Sequence, residues 1–188
     1  MLRRVFFALR YLGRPRWDTG RPPPEVVACA AGRPAGRALD IGCGTGASAV
    51  HLAGAGWKVT GIDFIPLAIT RARRRARTAG VEVDFRVGSV PEFAGIHGPF
   101  DLALDVGCLH TLDGTARPRY RAALARLLAP GAVLLIFAFT SPRAPGIPPG
   151  TLERLLAGDF RLAERRIDGD GHAAWYTFTR EVSPGEKA

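Results

Sequence analysis

Two hydrophobic periods alternate along this chain. Arg37-Ala-Leu-Asp-Ile41 has strand character and runs into a glycine-rich turn. Thr45 to Ala55 has helical spacing and stops at Gly56, and Trp57 to Ile62 is strand-like again. Pro66 to Thr78 predicts a helix, with proline in its first turn and Gly80 after its end. Val81 to Val87 alternates like a strand. Phe100 to Asp105 predicts a fourth strand, and Thr115 to Leu128 a helix. Ala132 to Phe139 is apolar throughout, between Pro130-Gly131 and Ser141-Pro142. Such a run suits the centre of a parallel sheet covered on both faces. Phe160 to Ile167 and Ala173 to Arg180 are strand-like and joined by Asp168-Gly-Asp-Gly-His172, a hairpin signal that reverses the last strand. Upstream, residues 1–12 predict a short amphipathic helix, Arg21-Pro-Pro-Pro24 breaks any helix, and Glu25 to Ala31 predicts another.

This alternation predicts an α/β chain: a three-layer, doubly wound sheet of seven strands, mostly parallel, with the last antiparallel. At 188 residues, one domain is expected, with a cap over 1–36, a core over 37–182 and a frayed tail over 183–188.

Composition excludes some classes. Hydrophobic residues are 47% and charged residues 23%, which argues against wholesale disorder. No apolar run is long enough to span a membrane, and Val5 to Leu9 is too short for the centre of a signal peptide. The N-terminal helix is expected to cap the fold; contact with a membrane through residues 1–12 is the other reading. Three dispersed cysteines, Cys29, Cys43 and Cys108, form no C-x-x-C pair, so a reducing, cytoplasmic compartment is expected.

The formal charge is +9, and all basic residues but Lys58 and Lys187 are arginine. That balance suits nucleic acid, an anionic surface or anionic small molecules, or reflects an arginine-rich genome. The densest run, Arg71-Ala-Arg-Arg-Arg-Ala-Arg77, lies on a predicted helix whose Ile65, Ile69, Ala72 and Ala76 share one face. No aromatic residue interleaves to stack bases, so the run reads as a solvated outer face and nucleic acid is not the expected partner.

Candidate chemistry begins at Ala38-Leu-Asp-Ile-Gly-Cys-Gly-Thr-Gly46, between a strand and a helix. Glycines there allow a tight turn and a close approach to the main chain. The spacing Gly42-x-Gly44-x-Gly46 is not that of a dinucleotide turn, and no Gly-Lys-Ser/Thr follows. Asp40, two residues before Gly42, would repel a phosphate and attract an amino group or a sulfonium. Asp63 ends the second strand, where a carboxylate can accept both hydroxyls of a ribose.

With these residues in place, the chain resembles the class I S-adenosylmethionine-dependent methyltransferases. The likeness runs through Leu39 to Gly46, Val59 to Asp63, Phe100 to Asp105 and Leu127 to Ile136. It implies a Rossmann-like methyltransferase fold and S-adenosylmethionine as cofactor, leaving as S-adenosylhomocysteine. By resemblance, Asp40, Ile41, Gly42, Cys43, Gly44 and Gly46 surround the methionine end. Asp63 holds the ribose, and Phe64 and Ile65 flank the adenine. Ser89 stands where the family commonly has an acid on the adenine amino group; with Val90 it remains an expected adenine neighbour. Arg16-Trp17-Asp-Thr-Gly20 to Glu25, and Asp105-Val-Gly-Cys-Leu-His110, resemble the small thiopurine-, thiol- and halide-type methyltransferases and their bacterial relatives. That narrower likeness implies that Trp17 and Gly20 cover the cofactor; the alternative is that Trp17 merely packs the N-terminal helix.

His110, shortly after strand four, is the candidate general base, unless it serves only to bond its own turn. Asp105 is a candidate catalytic or cofactor-holding acid, or the holder of that turn. Cys108 reads as filler, His51 as structural, and His97 and His172 as loop residues; no cluster has metal-ligand spacing. The expected activity is methyl transfer to a small molecule by a monomer, with sulfur or another soft atom as acceptor. Left open are an RNA or protein methyltransferase, and a cofactor-binding protein without turnover associated with a membrane.

Overall fold

Each predicted strand is present, and the ends shift where glycine or proline sets the backbone. The structure, a computed structural model, describes residues 2–13, 15–140 and 146–181. The expected tail at 183–188 and the start of the Ser141–Gly150 connection lie outside the described residues. The chain divides into two units, Met1–Ala94 and Gly95–Ala188; the strands lie in the order Asp84–Val87, Lys58–Asp63, Arg37–Ile41 in the first and Phe100–Val106, Leu128–Phe139, Ala173–Arg180, Phe160–Ile167 in the second.

In the first unit, α1 (Leu2–Arg10) and α2 (Pro24–Ala31) precede β1 (Arg37–Ile41), α3 (Ala47–Gly54), β2 (Lys58–Asp63), α4 (Pro66–Ala79) and β3 (Asp84–Val87). β1 and β2 are parallel with Asp40 opposite Gly61, and β2 and β3 are parallel with Asp63 opposite Val87. Asp40 and Asp63 therefore reach the same carboxyl edge. α4 buries Ala68, Ile69, Ala72 and Ala76 and ends on left-handed Gly80, φ 68°. The small side chains let the helix lie close to the strands, and proline at its start costs no helical hydrogen bond. α3 starts later than the expected Thr45 because Gly46 is left-handed, φ 78°.

In the second unit, β4 (Phe100–Val106), α5 (Ala116–Leu127), β5 (Leu128–Phe139), α6 (Thr151–Leu156), β6 (Phe160–Ile167) and β7 (Ala173–Arg180) follow in turn. β5 is parallel to β4; β7 is antiparallel to both β5 and β6, so β7 alone is reversed, as expected. β5 begins at Leu128 rather than at the expected Ala132. Pro130 and Gly131 are accommodated where the register with β4 jumps from Phe100↔Leu128 to Leu102↔Val133. Residues without a ladder partner bulge there, so proline displaces no strand hydrogen bond. β6 is exposed after Leu162, and its Arg161, Glu164, Arg165 and Arg166 give it a charged edge that discourages further pairing.

Candidate active site

The glycine turn closes by main-chain bonds to β2. The N–H groups of Gly42 and Cys43 both donate to the Ile62 carbonyl, at 2.8 and 3.0 Å. Gly42 and Gly44 adopt φ of 67° and 53°, where other residues would be strained. The Gly44 N–H donates to Asp63 Oδ2 at 3.0 Å and the Ile65 N–H to Oδ1 at 2.8 Å. Burial raises the Asp63 carboxyl above its ordinary value, while the N–H groups of Ile65, Gly44 and Phe64 pull it back. A carboxylate has about four acceptor sites, so three backbone donors do not saturate Asp63. Asp40 is buried at the end of β1, and Ile41 and Cys43 are buried beside it.

An N-terminal cover lies over this turn. Phe7 packs edge-on against Trp17 and Phe64, with centroids 5.8 and 5.7 Å apart, and Tyr11 packs against Trp17 at 6.3 Å. A Cβ on Gly44 would lie 2.9 Å from the Tyr11 hydroxyl. Burial and the nearby Asp63 push the Tyr11 phenol well above its ordinary pKa, so it stays a neutral donor. Trp17 remains 50% exposed. Gly20 lies against α4, its carbonyl accepting from Arg75 at 2.8 Å. Ser89 and Val90 follow β3 where the Gly88 N–H donates to the Asp63 carbonyl, and Ser89 is exposed.

The second unit holds the other candidates. Asp105 is 0% exposed. Its Oδ1 accepts the N–H groups of Cys108 and Leu109 at 2.8 and 3.0 Å, and Oδ2 accepts the Tyr120 hydroxyl at 2.7 Å. Of the roles expected of Asp105, this enclosure favours the holder of its own turn. It fixes the short 3-10 turn Leu109–Thr111 that carries His110. The His110 ring packs on Phe139 at 5.1 Å, Phe139 on Phe137 at 5.5 Å, and Phe137 on Trp175 at 5.1 Å. Phe137 lies opposite Trp175 in the β5–β7 register, and Phe139 is 40% exposed.

In the first unit, then, the structure brings Asp40, Gly42, Cys43, Gly44, Asp63 and Ile65 together around one turn. Sequence reasoning missed Tyr11, Phe7, Arg75 and the aromatic row on β5 and β7. The row had a signal in the i, i+2 aromatics Phe137 and Phe139; the cover had none beyond aromatics at helical spacing. Gly46 was expected to admit a ligand, but a Cβ there would sit 2.7 Å from Phe85 Cζ and 3.0 Å from Ala72 Cβ. Its crowding is with core side chains. Among the described residues, no group of His, Cys, Asp or Glu could hold a metal ion, and no helix is long and apolar enough to cross a membrane.

Known proteins resemble this arrangement. The sequence model of the methyltransferase domain matches residues 38–131. The 2-heptyl-1-hydroxyquinolin-4(1H)-one methyltransferase of Mycobacteroides abscessus is 34% identical over 134 residues, covering 70% of this chain and 59% of that protein. This chain spans about half the length of the curated relatives it matches. A solved structure concerned with conversion of a disulfide bond into a thioacetal group during echinomycin biosynthesis superposes with a TM-score of 0.84 at 28% identity, covering 98% of this chain and 94% of that one. The 1,6-didemethyltoxoflavin-N1-methyltransferase of Burkholderia thailandensis, solved with 1,6-didemethyltoxoflavin and S-adenosylhomocysteine, gives a TM-score of 0.77 at 27% identity, covering 95% and 87%.

Proposed function

Because this chain belongs to the methyltransferase-domain family, we propose that it moves a methyl group from S-adenosylmethionine to a small, flat heteroaromatic acceptor, at sulfur or another soft atom. The ring row of His110, Phe139, Phe137 and Trp175 carries the acceptor class. Aromatic side chains in such a row, with Phe139 partly open to solvent, suit a planar guest that stacks or meets them edge-on. Two relatives carry a hydroxyquinolinone and 1,6-didemethyltoxoflavin in their names, which supports a ring acceptor. The sulfur atom is supported by the thiopurine- and thiol-type likeness at Trp17–Gly20 and Asp105–His110, and by the disulfide chemistry of one structural neighbour.

The residues around the turn fit this cofactor: two carboxylates, a glycine-lined main chain and no lysine. When bound, S-adenosylmethionine supplies an electrophilic methyl and its own leaving group. Asp63 accepts the ribose hydroxyls. Asp40 and the Gly42–Gly46 turn hold the methionine end. Phe64, Ile65, Ser89 and Val90 flank the adenine, and Trp17 covers it. His110 takes the proton from a hydroxyl acceptor, and the Asp105–Tyr120 anchor keeps the His110 turn in place. A thiolate arrives already deprotonated and needs no base.

The test is a panel of heteroaromatic thiols, hydroxyquinolines, alkyl thiols, halides, phenols and amines, read by mass spectrometry. Methylated heteroaromatic thiols are expected foremost. His110→Ala is expected to lower turnover by about a hundredfold on hydroxyl acceptors and far less on thiols. Product found only on RNA or protein, or S-adenosylhomocysteine bound without turnover of any acceptor, overturns the proposal.

A further inference from the structure

We propose that Arg75 and Asp18 are positioning residues that latch residues 15–20 over the cofactor turn, so that the latch governs cofactor release. This rests on the cofactor reading above. Arg75, on α4, donates from Nη1 to the Gly20 carbonyl at 2.8 Å and from Nη2 to Thr45 Oγ1 at 3.1 Å. Its Nη2 also lies 3.9 Å from Asp18 Oδ1. Thr45 Oγ1 donates onward to Asp18 Oδ2 at 2.9 Å, and Asp18 Oδ1 accepts the Gly20 N–H at 3.2 Å. Thr45 belongs to the glycine turn itself, so turn, segment and helix meet in one network. One helical turn before Arg75, Arg71 donates to the Gly13 carbonyl at 2.7 Å, a second anchor from α4.

Between these two anchors lies Trp17, which packs on Phe7 and Tyr11, and Tyr11 rests against Gly44. A ligand on the Gly44–Asp63 edge is therefore roofed by residues whose position depends on α4 arginines. The Arg75 and Asp18 side chains are 30% and 12% exposed, so the pair is neither sealed nor freely solvated. A part-buried, hydrogen-bonded pair of this kind acts mainly on dissociation rates. The forked guanidinium reaches three partners at once, which a lysine ammonium cannot match in geometry.

The experiment measures S-adenosylhomocysteine dissociation by stopped flow, and tryptic cleavage after Arg16, in the full chain. Arg75→Met is expected to raise the dissociation rate and the cleavage rate roughly tenfold, with association changed less. Arg75→Lys should recover part of the loss. Asp18→Asn should behave like Arg75→Met, and the double variant no worse than the worse single one, because both break one network. Unchanged rates, or fully additive effects, overturn the latch. Melting temperatures separate a loosened segment from a lost fold, and Asp18→Asn, nearly isosteric, decides the matter if Arg75→Met does not fold. If the wild type binds no S-adenosylhomocysteine, the cofactor reading fails on its own. Cleavage after Arg16 in the ligand-free proteins then still decides the latch, and equal rates in wild type and Asp18→Asn sink it.

Discussion

A carboxylate with no exposure has to be held by donors, and Asp105 illustrates the balance. Burial pushes its pKa up to about 6, while the N–H of Leu109, the Tyr120 hydroxyl and the N–H of Cys108 pull the other way. The folded form thus holds the Asp105 proton more tightly than an unfolded carboxyl at its ordinary 3.8. The contribution to stability is full below about pH 4 and is lost as pH rises through about 6, by roughly 3 kcal/mol. In urea unfolding between pH 4 and 7, Asp105→Asn should lack that decline, whatever its absolute stability. Parallel pH curves for the two proteins would rule out the assignment. At neutral pH the side chain is ionised, which strengthens its hold on the turn of His110. Nothing in Phe100–Asp105 distinguished this acid from Asp40 and Asp63 in sequence, since all three end strands. The donors that enclose it tie it to the His110 turn, and Tyr120 lies 15 residues away.

Among the elements, those with a full hydrophobic period were legible: the strands of both units, α4 with its proline start and glycine end, and the reversal of β7. Less legible were elements defined by a register. The β5 start depends on a bulge against β4, and α6 is a six-residue helix within a proline-rich connection that offered no clean period. The turn between β1 and α3 was legible because its glycines and acid adjoin in sequence. The reason for each glycine was not. Gly44 faces Tyr11, whereas Gly46 faces Phe85 and Ala72, so a side chain at 46 meets both left-handed strain and a filled core. Gly46→Ala should therefore cost about 3 kcal/mol in denaturant unfolding, the sum of backbone strain and overpacking. A cost under about 1 kcal/mol would mean that α3 and β3 have room to part. The cover escaped sequence reasoning for a different reason. Arg75 meets Thr45 and Gly20 across 30 and 55 residues, and such pairings leave no local pattern.

For the whole molecule, the formal charge of +9 looks at first like a surface for a polyanion. The arginine run on α4 also bonds the main chain around it. Arg71, Arg73 and Arg75 donate to the carbonyls of Gly13, Phe85 and Gly20. In the second unit, Arg121 donates to Asp159 and buried Arg180 to the carbonyl of Ala125. Guanidinium groups engaged in this way hold segments together while keeping their charge. The sequence reading that set this run apart from nucleic acid stands on the absence of stacking aromatics. RNA of mixed sequence should therefore bind without base stacking, through charge alone, and lose that binding steeply as salt rises. At 150 mM salt, a several-fold molar excess of RNA over the enzyme should leave the rate of small-molecule methylation unchanged; the measurement is initial velocity with and without RNA. Competitive inhibition that persists at that ionic strength would place a nucleic acid at the active site and revive the RNA methyltransferase reading. Weak inhibition that vanishes between low and moderate salt is what scattered, solvated arginines produce.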